Sequence, residues 1–324
     1  MGGIAQQKIT YAIGNAAWGS KAAQEGIPVS QHFEPEPVMD SSTAPRVANS
    51  SRLPASEEFS IGAMYYTAPV PIAFNPAHAI LLLDKFFGDT VVGASPNYDR
   101  NYEAEDVPGE ASTPFLNIWK RTAKVGHDHN LCMHNGIVTG ITISKEAEGV
   151  VMMTAYCAFG ARSMDEADPD AWAIDWTHGV TAPALPGSTL FYIASIGGGF
   201  AAYAIPAFRI TLSCEFTPHF FGSQNPDRFS RGKMVMDGEL SLRDITSQVE
   251  DFGAWLEGST TKKAAILFGG STLYINFKIH AGGGAEDEIT RNGRFSFTGI
   301  YEKNGIYPTG FRWLVRPKRP YTIP

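Results

Sequence analysis

One cluster carries residue types suited to metal chemistry. His127, His129, Cys132 and His134 fall within eight residues, and imidazoles and a thiolate at such separations are the ligands that zinc takes. All four come from one segment, however, whereas a tetrahedral site is ordinarily closed by a second element. These residues are therefore the metal candidates, and the plainer reading is a polar strand end or hairpin tip.

Other chemistries leave weaker traces. A phosphate cradle needs a glycine loop that opens a helix behind a strand. No GxxxxGK[ST] motif occurs; Gly197 to Gly199 and Gly282 to Gly284 read as turns before strands, and Arg231-Gly232-Lys233 falls inside one. The nucleophile elbow GxSxG is absent as well. The acids at Asp165, Glu166, Asp168 and Asp170, and at Glu286, Asp287 and Glu288, lack the glycine and terminal glutamate of a calcium loop and read as solvated loops. A glycosidase pair, with Trp172, Trp176, Trp255 or Trp313 as sugar platforms, has nothing to select which two carboxylates it would use. The tail from Arg316 to Pro320 is basic, which a solvated terminus explains. No cofactor is expected, and the chain reads as a protein without catalytic turnover.

The elements that would position these residues are mainly β. Phe208, Ile210, Leu212, Cys214 and Phe216 alternate with polar residues, as on a strand with one wet face. Leu273 to Ile279 repeats the pattern, and Phe295, Phe297 and Phe311, Trp313, Val315 predict two strands around a turn at Lys303-Asn304-Gly305. Ile137 to Ser144 and Val150 to Phe159 predict a hairpin. Two helices are expected. Asn75 caps the first, Pro76 opens it, Ala77 to Phe87 is apolar, and Gly88 stops it. Asp244 or Ser247 caps the second, Glu250 completes a capping box, Ile245, Val249, Phe252 and Trp255 or Leu256 form its stripe, and Gly258 ends it. Leu190 to Phe208 carries no charge over 19 residues, about a bilayer's span. Its glycines and Pro206 instead predict two short strands around a turn, with no membrane insertion.

Each helix follows a strand, Ser60 to Ile72 or Gly232 to Leu242, and an offset of 170 superposes Gly62 on Gly232, Met64 on Met234 and Gly88 on Gly258. That order of elements suggests an internal duplication, with tandem antiparallel β-sandwich or barrel domains over 1–163 and 164–324, each flanked by one helix. The copies differ at 89–135, which has no counterpart in the second. It is polar and long for a connection, so it is expected to reach a neighbouring chain, with Tyr98, Asp99, Tyr102, Glu103 and Asp106 as contact candidates.

Composition narrows the function further. With 324 residues the chain can bury a large core without staples. Only 18% of residues are charged, against about 25% in an average protein, while 33 Gly and 21 Pro make it rich in turns. The net charge of −7 has the wrong sign for gripping nucleic acid through its phosphates. Three widely spaced cysteines suggest a reducing compartment rather than a disulfide framework. The opening residues lack the basic-then-apolar pattern of a signal peptide, so secretion by that route is not expected.

The sequence resembles the major tail tube proteins of long-tailed bacteriophages, in their longer form with two tube-like halves. The resemblance runs through Ala16 to Gly19, the strand and helix from Phe59 to Gly88, Cys132 to Ser144 followed by Gly149 to Thr154, Ile210 to Ser213, and Gly232 to Leu240. It implies a virion protein, assembled in the host cytoplasm, whose rings stack into a hollow tube through which double-stranded DNA passes without specific binding. It implies other copies of itself and other tail proteins as partners. Two domains per chain would close a ring of three chains with pseudo-six-fold symmetry. The lumen should then be acidic, and Glu215, Asp237 and Glu239 are its candidates, with Arg209 and Lys233 as basic neighbours needing offset. The alternatives are a carbohydrate-binding β-sandwich module or glycoside hydrolase, or another virion protein such as a tail terminator or capsid decoration protein.

Overall fold

Apolar residues at every second position produce strands throughout the chain. The structure is a computed structural model. It describes residues 8–16, 19, 21, 25–27, 29, 33–43, 59–87, 91–92, 100–103, 115–124, 127–146, 149–164, 190–195, 201–203, 207–242, 261–268, 271–287, 292–299 and 311–315. In the first half the elements are β1 (Lys8–Ala16), β2 (Glu25–Gly26), β3 (Glu36–Thr43), β4 (Phe59–Ala73), α1 (Pro76–Phe87), β5 (Val91–Val92), β6 (Arg100–Glu103), β7 (Phe115–Lys124), β8 (His127–Lys145) and β9 (Met152–Met164). The second half contributes β10 (Leu190–Ser195), β11 (Ala201–Tyr203), β12 (Ala207–His219), β13 (Arg228–Leu242), β14 (Thr261–Phe268), β15 (Ser271–Asp287), β16 (Asn292–Gly299) and β17 (Phe311–Val315). The protein is mainly β, its described strands pair antiparallel, and α1 is the one helix among the described residues.

Strand β8 is the hub. One edge pairs first with β7, ending at Gly136 opposite Leu116, and then with β12, from Gly140 opposite Ser213 to Lys145 opposite Phe208. The other edge pairs with β9 along most of its length. Changing partners requires a local kink, which falls at Asn135-Gly136. Asn135 has φ 58°, a left-handed conformation that asparagine tolerates, and its Oδ1 accepts the Gly19 N–H at 2.6 Å. A Cβ on Gly136 would stand 2.5 Å from the Phe159 ring, so a glycine is required there.

From this hub the network spreads outward. β7 continues to β1 and β2, and β9 continues to β4 and β3. On the other side β12 leads through β13 and β16 to β15. The far edge of β15 carries β14, then β10 and β11, so Leu190 to Ser195 and Ala201 to Tyr203 form the expected pair of short strands. No helix among the described residues is long and apolar enough to cross a membrane.

Three expectations change. β16 and β17 do not form a hairpin with each other; they lie end to end along one edge of β15. Gly282 to Gly284 sit inside β15, where the register against β16 shifts between Ile279 and Gly284. The segment 89–135 is not wholly an outward arm, because β6 pairs with β17, and β7 with β1 and β8. The second expected helix, the boundary acids after Met164 and the turn at Lys303 lie outside the described residues.

The helix α1 begins as its sequence dictates, with Asn75 Oδ1 accepting the Ala77 N–H at 2.9 Å. Residues Pro76 to Phe86 are all buried, as expected of a helix covered on every side. Just before it, Phe74 stacks on Trp313 at 5.6 Å between centroids and meets Phe268 edge-on at 4.8 Å. All three rings are buried. Residues from both halves of the chain thus share one hydrophobic cluster. Phe74→Ala should lower the unfolding free energy by about 3–5 kcal/mol. In urea titrations, fluorescence and circular dichroism should report this loss in one coincident transition; two separate transitions would show that the halves unfold independently.

Candidate functional site

Alternation gives the β8–β12–β13 surface two different faces. On β12, Phe208, Ile210, Leu212 and Cys214 are buried, while Arg209, Ser213, Glu215 and Thr217 are exposed. On β13, Met236 and Leu240 point inward, and Lys233, Val235, Asp237 and Glu239 outward. Register aligns the polar residues in rows across strands. Thr154, Thr142, Thr211 and Asp237 form one row, with Thr142 and Thr211 hydroxyls 3.1 Å apart. Ser144, Arg209 and Glu239 form the next. Here the face sinks into an open depression of about 510 Å³ bordered by Tyr156, Lys145, Arg209 and Glu239. Burial pushes the Lys145 ammonium below the ordinary lysine range.

The three acids expected on a wet face are all there. Glu215, Asp237 and Glu239 are exposed. A register shift between Cys214 and Phe216 sets Glu215 beside Gly232, whose missing side chain leaves room for it. Beyond this shift Arg231 turns toward the core side and its guanidinium donates to the Lys85 and Phe86 carbonyls, closing the C-terminus of α1.

A second polar cluster lies inside the protein. Asp84 on α1 accepts from Arg100 Nη1 and from the Tyr102 hydroxyl, both supplied by β6. Residues two apart on a strand share a face, so Arg100 and Tyr102 meet one carboxylate together. Burial pushes the Asp84 carboxyl above the usual carboxylate range, against the pull of Arg100 and Tyr102. The Tyr102 hydroxyl is raised well above its usual range, first by burial and then by Asp84. The sequence signal for this cluster was a lone acid within the apolar run Ala77 to Phe87, which needs donors once buried.

The four metal candidates all lie on β8. Cys132 is buried with Ala12 and Trp119. His134 is buried too, its Nε2 3.3 Å from Ser163 Oγ. His127 and His129 open β8, where they pair with Lys124 and Thr122; their side chains lie outside the described residues. Among the described residues no three His, Cys, Asp or Glu side chains gather to hold a metal ion. Tyr102, expected to contact a neighbour, is instead fully buried against Asp84. Glu103 pairs through its backbone with Arg312, and Tyr98, Asp99 and Asp106 lie outside the described residues.

The fold and these two clusters define an antiparallel β protein with a polar sheet face over a shared core. No model of a known protein family matches the chain, and no curated protein matches it.

Removing the Asp84 carboxylate should be costly, since breaking a buried ion pair from one side typically costs about 3–5 kcal/mol. Asp84→Ala should show a loss of this size by denaturant unfolding. The pH dependence has a definite sign. With the folded value of Asp84 raised, the folded chain keeps a proton that the unfolded chain has already released. Stability contributed by Asp84 therefore falls as pH rises from the ordinary aspartate value through the raised one. Asp84→Asn should flatten this slope in unfolding curves measured across that window; an unchanged slope would assign it to other groups. A separate expectation concerns Cys132, Cys157 and Cys214, all free and buried, with burial raising the thiols of the latter two. Maleimide labelling followed by mass measurement should find these thiols unmodified in the folded protein and labelled in denaturant.

Proposed function

We propose that this chain is a structural subunit of a hollow tube, of the kind the resemblance to phage major tail tube proteins implies. Its copies close into rings, the rings stack, and double-stranded DNA passes through the lumen during ejection. The carrying observation is the sheet face of β8, β12 and β13, where the hydroxyls of Ser213 and Thr217 and the carboxylates of Glu215, Asp237 and Glu239 are exposed over a mainly apolar underside. These three carboxylates outnumber the two bases Arg209 and Lys233 on the same face of β12 and β13, an excess of negative charge that disfavours a hold on phosphates, as a DNA conduit requires.

In this reading the two halves of the chain are related tube domains, fused through the β8–β12 and β6–β17 pairings. Three chains then complete a ring with pseudo-six-fold symmetry. The protein acts without catalysis, in the virion, alongside other tail proteins. The depression beside Tyr156, whose ring is exposed, favours a second reading as a carbohydrate-binding module.

Electron microscopy of the purified protein separates the two. Rings or tubes are expected, with three chains per ring by native mass measurement. A monomer that binds glycans would support the module, and six whole chains per ring would refute the paired-domain organisation. Replacing Glu215, Asp237 and Glu239 together with Lys should permit assembly but slow DNA release from particles, because each cation adds a phosphate contact.

A further inference from the structure

The depression on the sheet face is bordered by Tyr156 of β9, Lys145 of β8 and Arg209 of β12, together with Thr142, Ser144 and Thr154. Among the described residues neither Arg209 nor Lys145 has a hydrogen-bond or ion-pair partner, although Lys145 is only 5% exposed. A guanidinium without a partner presents a planar fork that fits a carboxylate or a phosphate. Lys145 follows Ser144, the residue opposite Arg209, so both bases stand at one end of the depression. Tyr156 borders the other end with its ring exposed. It is opposite Gly140, so the β8 residue beside it has no side chain to cover the ring.

Register gives the span between the two ends. Gly140 and Ser144, the partners of Tyr156 and Arg209 on opposite edges of β8, are four residues apart. At strand spacings the roots of Tyr156 and Arg209 are therefore about 13 Å apart along the strands and about 10 Å apart across them. No single sugar ring bridges that span, whereas a chain of two or three does. Glu146 and Glu239 also border the depression, so acids balance bases there and a polyanion such as DNA gains little. A ligand with one carboxylate among many hydroxyls is matched throughout: the fork takes the carboxylate, and the carboxylates and hydroxyls of the lining take its hydroxyls. We propose that this depression binds an acidic oligosaccharide of two or three units, with one sugar ring on Tyr156 and a carboxylate-bearing sugar at Arg209. The inference rests on the second reading above, of the depression as a sugar site, and it does not depend on assembly.

The test titrates the purified full-length chain by isothermal calorimetry with 3′-sialyllactose, with lactose capped by glucuronate, and with lactose itself as the neutral control. At least one of the acidic chains should bind about ten-fold more tightly than lactose, the gain expected of one charge-assisted contact. Arg209→Gln, with an unchanged unfolding temperature to show that the fold is intact, should bring that chain down to the affinity of lactose and leave lactose unaffected. Tyr156→Ala should weaken acidic and neutral chains alike. Inorganic phosphate at the concentration of the sugar should not displace it.

The proposal is overturned if neither acidic chain binds more tightly than lactose, if Arg209→Gln keeps the preference, or if phosphate alone displaces the sugar. Lactose bound as tightly as the acidic chains would remove the acidic ligand and leave the sugar reading. Rings in the microscope without acidic-sugar binding would refute the site and leave the tube standing. Binding that Arg209→Gln abolishes, in a chain that stays monomeric, would refute the tube and leave the site.

Discussion

A carboxylate taken into an apolar interior has to be met by donors, and much of the architecture around α1 follows from how Asp84 is met. Its partners, Arg100 and Tyr102, come from β6, a short strand whose other neighbour is β17 near the end of the chain. The pairing therefore fixes three distant segments at once. At the other end of the helix Arg231 of β13 closes the last carbonyls. A helix of the first half is thus anchored at both places by groups that only the folded second half brings near, directly or through β17.

The same economy governs the sheet. β8 is long enough to serve β7 and β12 in succession on one edge while β9 runs along the other. Because strand residues alternate, each added strand extends an apolar underside and a polar upper face together. The underside supplies the cluster that joins Phe74 to Phe268 and Trp313. The upper face collects hydroxyls and charges whose register decides their neighbours, so that Arg209 stands opposite Glu239 while Asp237 stands opposite Thr211. A slip of one residue would have buried these charges and exposed Ile210 and Leu212.

Local rules written in the sequence determined a good deal. Asn75 and Pro76 opened α1 where expected, because a cap and a fixed φ act within one turn. The hairpin of β8 and β9, the alternation of β12 and with it the exposure of Glu215 also followed from period and turn residues alone. Tertiary structure decided what periodicity does not encode, namely which strand lies beside which. It set β16 and β17 in line along β15 rather than against each other, and it drew Tyr102 into the core although the surrounding segment is polar. It also packed Cys132 into a small buried cluster with Ala12 and Trp119. Spacing along the chain constrains a residue only over the few positions that its own helix or strand controls. Partners farther away, such as Asp84 with Arg100 at 16 residues or Phe86 with Arg231 at 145, are chosen by the burial of the whole core.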